Sequence, residues 1–126
     1  MKKTLIFCLI WYVALMAVFI GCKSSDGFKS STAKIQYKGN PTTGYNWIVD
    51  VSDESVISVS VKEKYLGSAD VVGAPSMFYY TISSLSPGNS VLKFEYKRAW
   101  ETKPAEETHI FDITVLSNGD IKMIER

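Results

Sequence analysis

From Ala33 onward the chain is built of short runs in which apolar and polar residues alternate. Ile35 and Tyr37 fall on one side of a first run, and Tyr45, Trp47, Val49 and Val51 on one side of a second. Ile57, Val59 and Val61 do the same in a third, and Phe78, Tyr80 and Ile82 in a fourth. Leu92, Phe94 and Tyr96 alternate with Lys93 and Glu95 in a fifth, and Phe111, Ile113 and Val115 with Asp112 and Thr114 in a sixth. Ile121 and Met123 mark a short seventh. Alternation with period two in Val, Ile, Tyr, Phe and Trp is the signature of a half-buried strand. Past the N-terminal segment no stretch sustains a helical period, so the pattern predicts an all-β domain over residues 33–126.

About seven short strands with turn residues between them predict an immunoglobulin-like antiparallel β-sandwich. A small barrel satisfies the same pattern. The Cys pair and companion Trp of antibody domains are missing, so packing alone would hold the two sheets together.

The N-terminus has a different texture. Met1-Lys2-Lys3-Thr4 is a short positive start, and Leu5 to Ile20 is a stretch of 16 uncharged residues ending at Gly21-Cys22. A basic head, an apolar middle and a small residue before the cut describe a secretory signal peptide over residues 1–21. Uncleaved, it would be an N-terminal anchor, though the run is short for a spanning helix. Phe19-Ile20-Gly21-Cys22 resembles a bacterial lipoprotein box, with Phe19 where an aliphatic residue is usual. That resemblance implies a lipid-modified Cys22 as first mature residue, and a place at the bacterial cell envelope, facing periplasm or exterior. Residues 22–32 are dominated by small polar residues, four of them Ser, and read as a flexible tether to the membrane.

This division changes the charge and cysteine arithmetic. The whole chain is +1; without residues 1–21 it holds 12 basic and 13 acidic groups, a net of −1, and one cysteine. A near-neutral chain without a basic run has no electrostatic footprint for nucleic acid. One cysteine makes no internal disulfide, and one Cys with one His makes no ordinary zinc site. No metal or other cofactor is expected. Catalysis has equally little support: His109 sits in a strand, no nucleophile-elbow motif appears, and Glu106-Glu107 point opposite ways in an extended chain.

The connections carry the functional signal. If successive strands run in opposite directions, links two, four and six share one end. They are plain turns: Ser52-Asp53-Glu54-Ser55, Ser86-Pro87-Gly88-Asn89 and Ser117-Asn118-Gly119-Asp120. Links one, three and five share the other end. They hold Asn40-Pro41-Thr42-Thr43-Gly44-Tyr45, Gly73-Ala74-Pro75-Ser76 and Arg98-Ala99-Trp100. Loops on a rigid scaffold are where binding usually resides, and Trp and Arg are common hot spots. Each loop also has an ordinary reading as turn chemistry, and Trp100 could cap the end of the sandwich. Gly39 to Gly44 is spaced like a phosphate loop, but Tyr45-Asn46 stands where Lys-Ser/Thr is needed. Pro41 within Asn40-Pro41-Thr42 forbids glycosylation there.

Taken together, the three loops resemble those of chagasin-type inhibitors of papain-like cysteine proteases. Asn40-Pro41-Thr42-Thr43-Gly44-Tyr45 is similar to the family's signature first loop. The second loop of that family is of the form Gly-x-Gly-Gly, of which only Gly73 is kept. The third carries Arg-Pro-Trp, and Arg98-Ala99-Trp100 has Ala for Pro. The resemblance implies an immunoglobulin-like monomer, not an enzyme, that reversibly blocks a protease cleft with three loops. Thr42, Thr43 and Gly44 would lie nearest the catalytic cysteine, with Arg98 and Trp100 on one rim and the Gly73 loop on the other. The competing expectation is a lipid-anchored module that binds another protein or a glycan through Trp100.

Overall fold

The structure, a computed structural model, describes residues 27–126. The signal peptide, Cys22 and the start of the tether lie outside the described residues. Seven strands follow in order: β1 (Thr32–Gly39), β2 (Asn46–Val51), β3 (Ile57–Tyr65), β4 (Ser76–Ser84), β5 (Gly88–Lys97), β6 (Glu107–Val115) and β7 (Ile121–Glu125). One helical turn, of 3₁₀ type, spans Pro41–Thr43 between β1 and β2.

The strands form two sheets, β1-β4-β3 and β2-β5-β6-β7, and every pairing is antiparallel. Two separate sheets, with no ladder joining them, make this a sandwich and not a barrel. Phe78, Tyr80 and Ile82 of β4 face Leu92 and Phe94 of β5 and Phe111, Ile113 and Val115 of β6 across a shared core. Phe94 is fully buried, with Tyr37, Tyr80 and Phe111 rings edge-on to it at 5.1, 4.8 and 6.1 Å. Burying a phenylalanine contributes about 2–3 kcal/mol, so this cluster stands in for the missing disulfide.

Three details depart from the sequence pattern. Val61 was expected to face inward with Ile57 and Val59, yet it is 59% exposed. β3 is an edge strand of nine residues, and β2 has only six, so the outer half of β3 has less of the opposite sheet over it. Tyr45 was expected on the inner face of the second strand, but β2 begins at Asn46 and leaves Tyr45 in the loop.

The third departure concerns the tether. It was expected to be unattached through Thr32, but β1 starts at Thr32 and residues 29–31 are held to the domain. The Lys29 N–H donates to the Asn118 carbonyl (3.0 Å), and Ser30 Oγ to the Ser84 carbonyl (2.8 Å). Ser31 donates from its N–H to Ser84 Oγ (2.8 Å) and from its Oγ to the Gly119 carbonyl (2.7 Å). Gly119 is required here: its φ is +98°, and a Cβ would lie 2.0 Å from the Lys29 carbonyl oxygen. Ser84 is buried, so its hydroxyl needs these partners.

Candidate functional site

The first, third and fifth connections meet at one end of the sandwich. Asn40 Nδ2 donates to the Gly73 carbonyl at 3.1 Å, joining the first loop to the second. Arg98 Nε donates to the Thr43 carbonyl at 3.0 Å, joining the first loop to the third. The antiparallel pairing predicts this convergence, and the two bonds fix it.

The first loop is a compact turn. Pro41 sets the φ of the first residue of the 3₁₀ turn, and Gly44 ends it in the left-handed region at φ +81°. The Asn40 carbonyl accepts from the Thr43 N–H (3.1 Å) and from Thr43 Oγ1 (2.7 Å), and the Pro41 carbonyl from the Gly44 N–H (2.9 Å). The Thr42 hydroxyl donates to the Asn40 side-chain oxygen. Below the turn, Tyr96 Oη accepts from the Asn40 N–H at 2.9 Å, so a β5 side chain props the entry to the loop. Three of the loop's carbonyls are thus already engaged, while the side chains of Thr42 and Thr43 stay exposed.

The third loop closes over the first. The Trp100 ring lies against Gly44, where a Cβ would sit 2.3 Å from it, yet Trp100 remains 71% exposed. It does not cap the core. Arg98 stacks its guanidinium over the Tyr45 ring at 4.4 Å and pairs with Glu101 at 3.0 Å. Glu101 and its charge raise the pKa of Arg98 above the ordinary arginine value, keeping the cation in place. Tyr45 in turn stacks on Tyr96, 5.4 Å between centroids. A cation sandwiched between an aromatic ring and a carboxylate is a rigid strut rather than a free surface charge.

The second loop spans residues 66–75. Its base is tied by the Leu66 N–H to the Pro75 carbonyl (3.0 Å) and by the Tyr65 hydroxyl to the Val71 carbonyl. Gly73 turns at φ +86° and leaves Val72 97% exposed at the tip. Ala74 and Pro75 are half-buried. Ser76 was expected among the displayed residues, but it is 1% exposed as the first residue of β4, paired with Gly39 and Tyr65. Its side chain faces the core end, so it displays nothing.

Of the expected residues, Asn40, Pro41, Thr42, Thr43, Gly44, Tyr45, Gly73, Arg98, Ala99 and Trp100 gather here. Asn40, Tyr45 and Arg98 act from within as braces, and Thr42, Thr43 and Trp100 form the outer surface. The sequence places Val72 in the displayed segment, but neither it nor its neighbour Val71, which is 50% exposed, was among the expected contact residues. An apolar pair in a turn-rich segment was the available signal. Among the described residues no cluster of His, Cys, Asp and Glu could hold a metal ion. The displayed side chains suit insertion into another molecule's cleft better than capture of a small ligand.

Comparison with known proteins gives this arrangement a family. The family described as Chagasin family peptidase inhibitor I42 matches over residues 29–115. The chain belongs to the chagasin family of peptidase inhibitors. The match takes in all three loops, and it starts at Lys29, where the structure first ties the chain to the sandwich. Amoebiasin-2 of Entamoeba histolytica is 27% identical over 107 residues, covering 80% of this chain and 87% of that protein. Amoebiasin-1 of the same organism is 26% identical over 90 residues, covering 69% and 84%. The crystal structure of the cysteine protease inhibitor EhICP2 from Entamoeba histolytica superposes with a TM-score of 0.59 at 26% identity, covering 68% of this chain and 78% of that one. The immunoglobulin-like sandwich expected from the strand pattern is therefore the fold of a known chagasin-family inhibitor, and an inhibitor rather than an enzyme fits the site.

Proposed function

We propose that this chain inhibits papain-like cysteine proteases by seating its three-loop pole in the catalytic cleft. Family membership supports inhibition over the glycan- or protein-binding alternative. The observation that carries the mechanism is the first loop: a 3₁₀ turn at Pro41–Thr43, braced on both sides by its neighbours. A substrate enters such a cleft as extended chain with free carbonyls. Here the Asn40, Pro41 and Thr43 carbonyls are engaged within the inhibitor, so no scissile bond is offered to the nucleophile. Thr42 and Thr43 would cover the catalytic Cys–His pair, Trp100 would grip one rim, and Val72 beside Gly73 the other. Such a wedge buries on the order of 1,600 Å² in total, and its affinity rests on preorganised loops and a few anchors.

Titration against papain tests this reading. Activity is expected to fall in proportion to added inhibitor and to return on dilution, with the inhibitor recovered uncut. Full papain activity at about a hundredfold molar excess would overturn it. The finer proposal is that the inhibitor is a monomer held at a bacterial envelope by lipid on Cys22, supported by the residue 1–22 pattern. Labelling with a fatty-acid analogue tests it: the intact chain should take up label and Cys22→Ser should not.

A further inference from the structure

The outward side of the β1-β4-β3 sheet has an uneven charge pattern. Register places Lys34, Thr81 and Ser60 in one row, Gln36, Tyr79 and Lys62 in the next, and Lys38, Met77 and Lys64 in a third. A fourth row, Thr32, Ser83 and Ser58, is uncharged. Four lysines therefore share one face with no carboxylate among them, and all four are exposed. They line the two outer strands, about 10 Å apart, on either side of a central column of Met77, Tyr79 and Thr81. Among the described residues none of the four is in an ion pair. The opposite sheet behaves differently: Lys93 and Lys97 pair with Glu95, and Arg126 with Asp112. Residues 27–126 hold 11 basic and 12 acidic groups, so this face stands against the sign of the domain as a whole.

We propose that this lysine face docks on an anionic phospholipid surface, a role beyond protease inhibition. Lysines on edge strands also discourage strand-to-strand pairing, but that purpose does not call for an acid-free face. A three-stranded sheet offers a broad surface, suited to a bilayer rather than to a small anion. Tyr79, 40% exposed at the centre, has the amphipathic ring that settles at headgroup level. With the lipid on Cys22 proposed above, chain length would keep the domain close: the seven residues from Cys22 to Phe28, before the first pinned residue, reach at most about 25 Å. The face lies along the side of the sandwich and the inhibitory loops at its end, so a protease and a bilayer can be engaged together.

Vesicle co-sedimentation tests the proposal. A chain beginning at Gly27 keeps all seven strands and the whole core, and is compared with the full chain. The probe is a vesicle of phosphatidylglycerol and phosphatidylcholine in equal parts, against phosphatidylcholine alone. Partitioning of the shorter chain is expected to favour the anionic vesicle at least about tenfold in low salt and to vanish near 1 M salt. Lys34→Glu with Lys62→Glu should lower it about tenfold or more, and the neutral pair K34Q/K62Q by less, with papain inhibition unchanged. Lys122→Glu, on the opposite sheet, is a single-site control with half the charge change of the pair and should leave partitioning within about twofold, whereas Lys62→Glu alone, with the same charge change as Lys122→Glu, should lower it measurably more. Equal binding to both vesicles, binding to neither, or a K34E/K62E variant indistinguishable from K122E overturns the proposal. So does a K34E/K62E variant that loses protease inhibition but keeps vesicle binding, which would assign the face to an acidic protease surface instead. Failure on vesicles with papain inhibition intact leaves the inhibitory reading standing.

Discussion

Trp100 and Gly44 act as one unit. A tryptophan ring laid on a glycine with positive φ works only because no Cβ stands between them. Trp100→Ala removes an exposed side chain, so the fold should keep its thermal midpoint within a few degrees while inhibition of papain weakens about 30-fold or more, the loss of about 2 kcal/mol. Gly44→Ala should weaken inhibition too, by displacing the ring, and should also cost about 1–2 kcal/mol of stability through its backbone conformation. Measuring inhibition constants and melting curves for both variants separates the contact from the support beneath it. If Trp100→Ala inhibits as well as the parent, the third loop is not an anchor. At this scale much of the site was legible, because Pro41, Gly44 and Trp100 are residue types with narrow structural uses. The degree of exposure of Val72 was not legible, since it comes from the absence of neighbours, which only the folded loop shows. Ser76 was misplaced for a related reason: it follows directly on Pro75, the last residue of the loop, as the first residue of β4, and a hydroxyl is at home on either side of that boundary.

At the scale of elements, period-two alternation found all seven strands, because each buries one face against the other sheet. It could not find how far each strand is covered, and Val61 on the uncovered part of β3 shows the limit. Nor did it anticipate how β1, β6 and β7 are joined. His109 of β6 stacks on Tyr37 of β1 at 4.7 Å, and its Nδ1 and Nε2 lie 2.6 and 2.7 Å from Glu125 of β7 and Glu107. Burial pushes the imidazole pKa down, but hydrogen bonds to Glu125 and Glu107, with their charges, more than offset it, and the net shift is upward. Tyr37, pushed up to about 12 mainly by burial, stays neutral throughout. A raised folded-state pKa means that protonation favours the folded form. The contribution is complete below the unfolded value of about 6.5 and is lost as pH rises through the higher folded value. Urea unfolding is therefore expected to show lower stability at pH 8.5 than at pH 6, with the difference largely removed in His109→Gln. A parent protein whose stability is flat or rises over that interval would contradict the clamp.

For the molecule as a whole, the two ends of the sandwich have separate work. The three loops occupy one end. Residues 29–31 are fastened at the other, against Ser84 at the end of β4 and the Asn118–Gly119 turn after β6. A composition dominated by Ser and other small polar residues reads as linker, and no local signal separates a linker from a strand extension held by distant partners; Ser31 and Gly119 are 88 residues apart. The attachment has a measurable consequence. A chain beginning at Thr32 loses the bonds from Lys29, Ser30 and Ser31, including the Ser84 N–H to Ser31 carbonyl bond at 3.0 Å, and leaves the buried Ser84 hydroxyl without its Ser31 partners. At about 1 kcal/mol per hydrogen bond, the shorter chain should be about 2–4 kcal/mol less stable than one beginning at Gly27. Papain inhibition should be the same for both at temperatures where both are folded, since β1 separates the cut from the loops by eight residues, about 26 Å of extended chain. Denaturant midpoints and inhibition constants for the two chains decide it: a shared midpoint would mean that residues 27–31 are linker after all, and a weakened inhibition constant would mean that the two ends are coupled. If the ends are independent, the attachment of residues 29–31, at the end of the sandwich opposite the three loops, supports the fold without bearing on the inhibitory site.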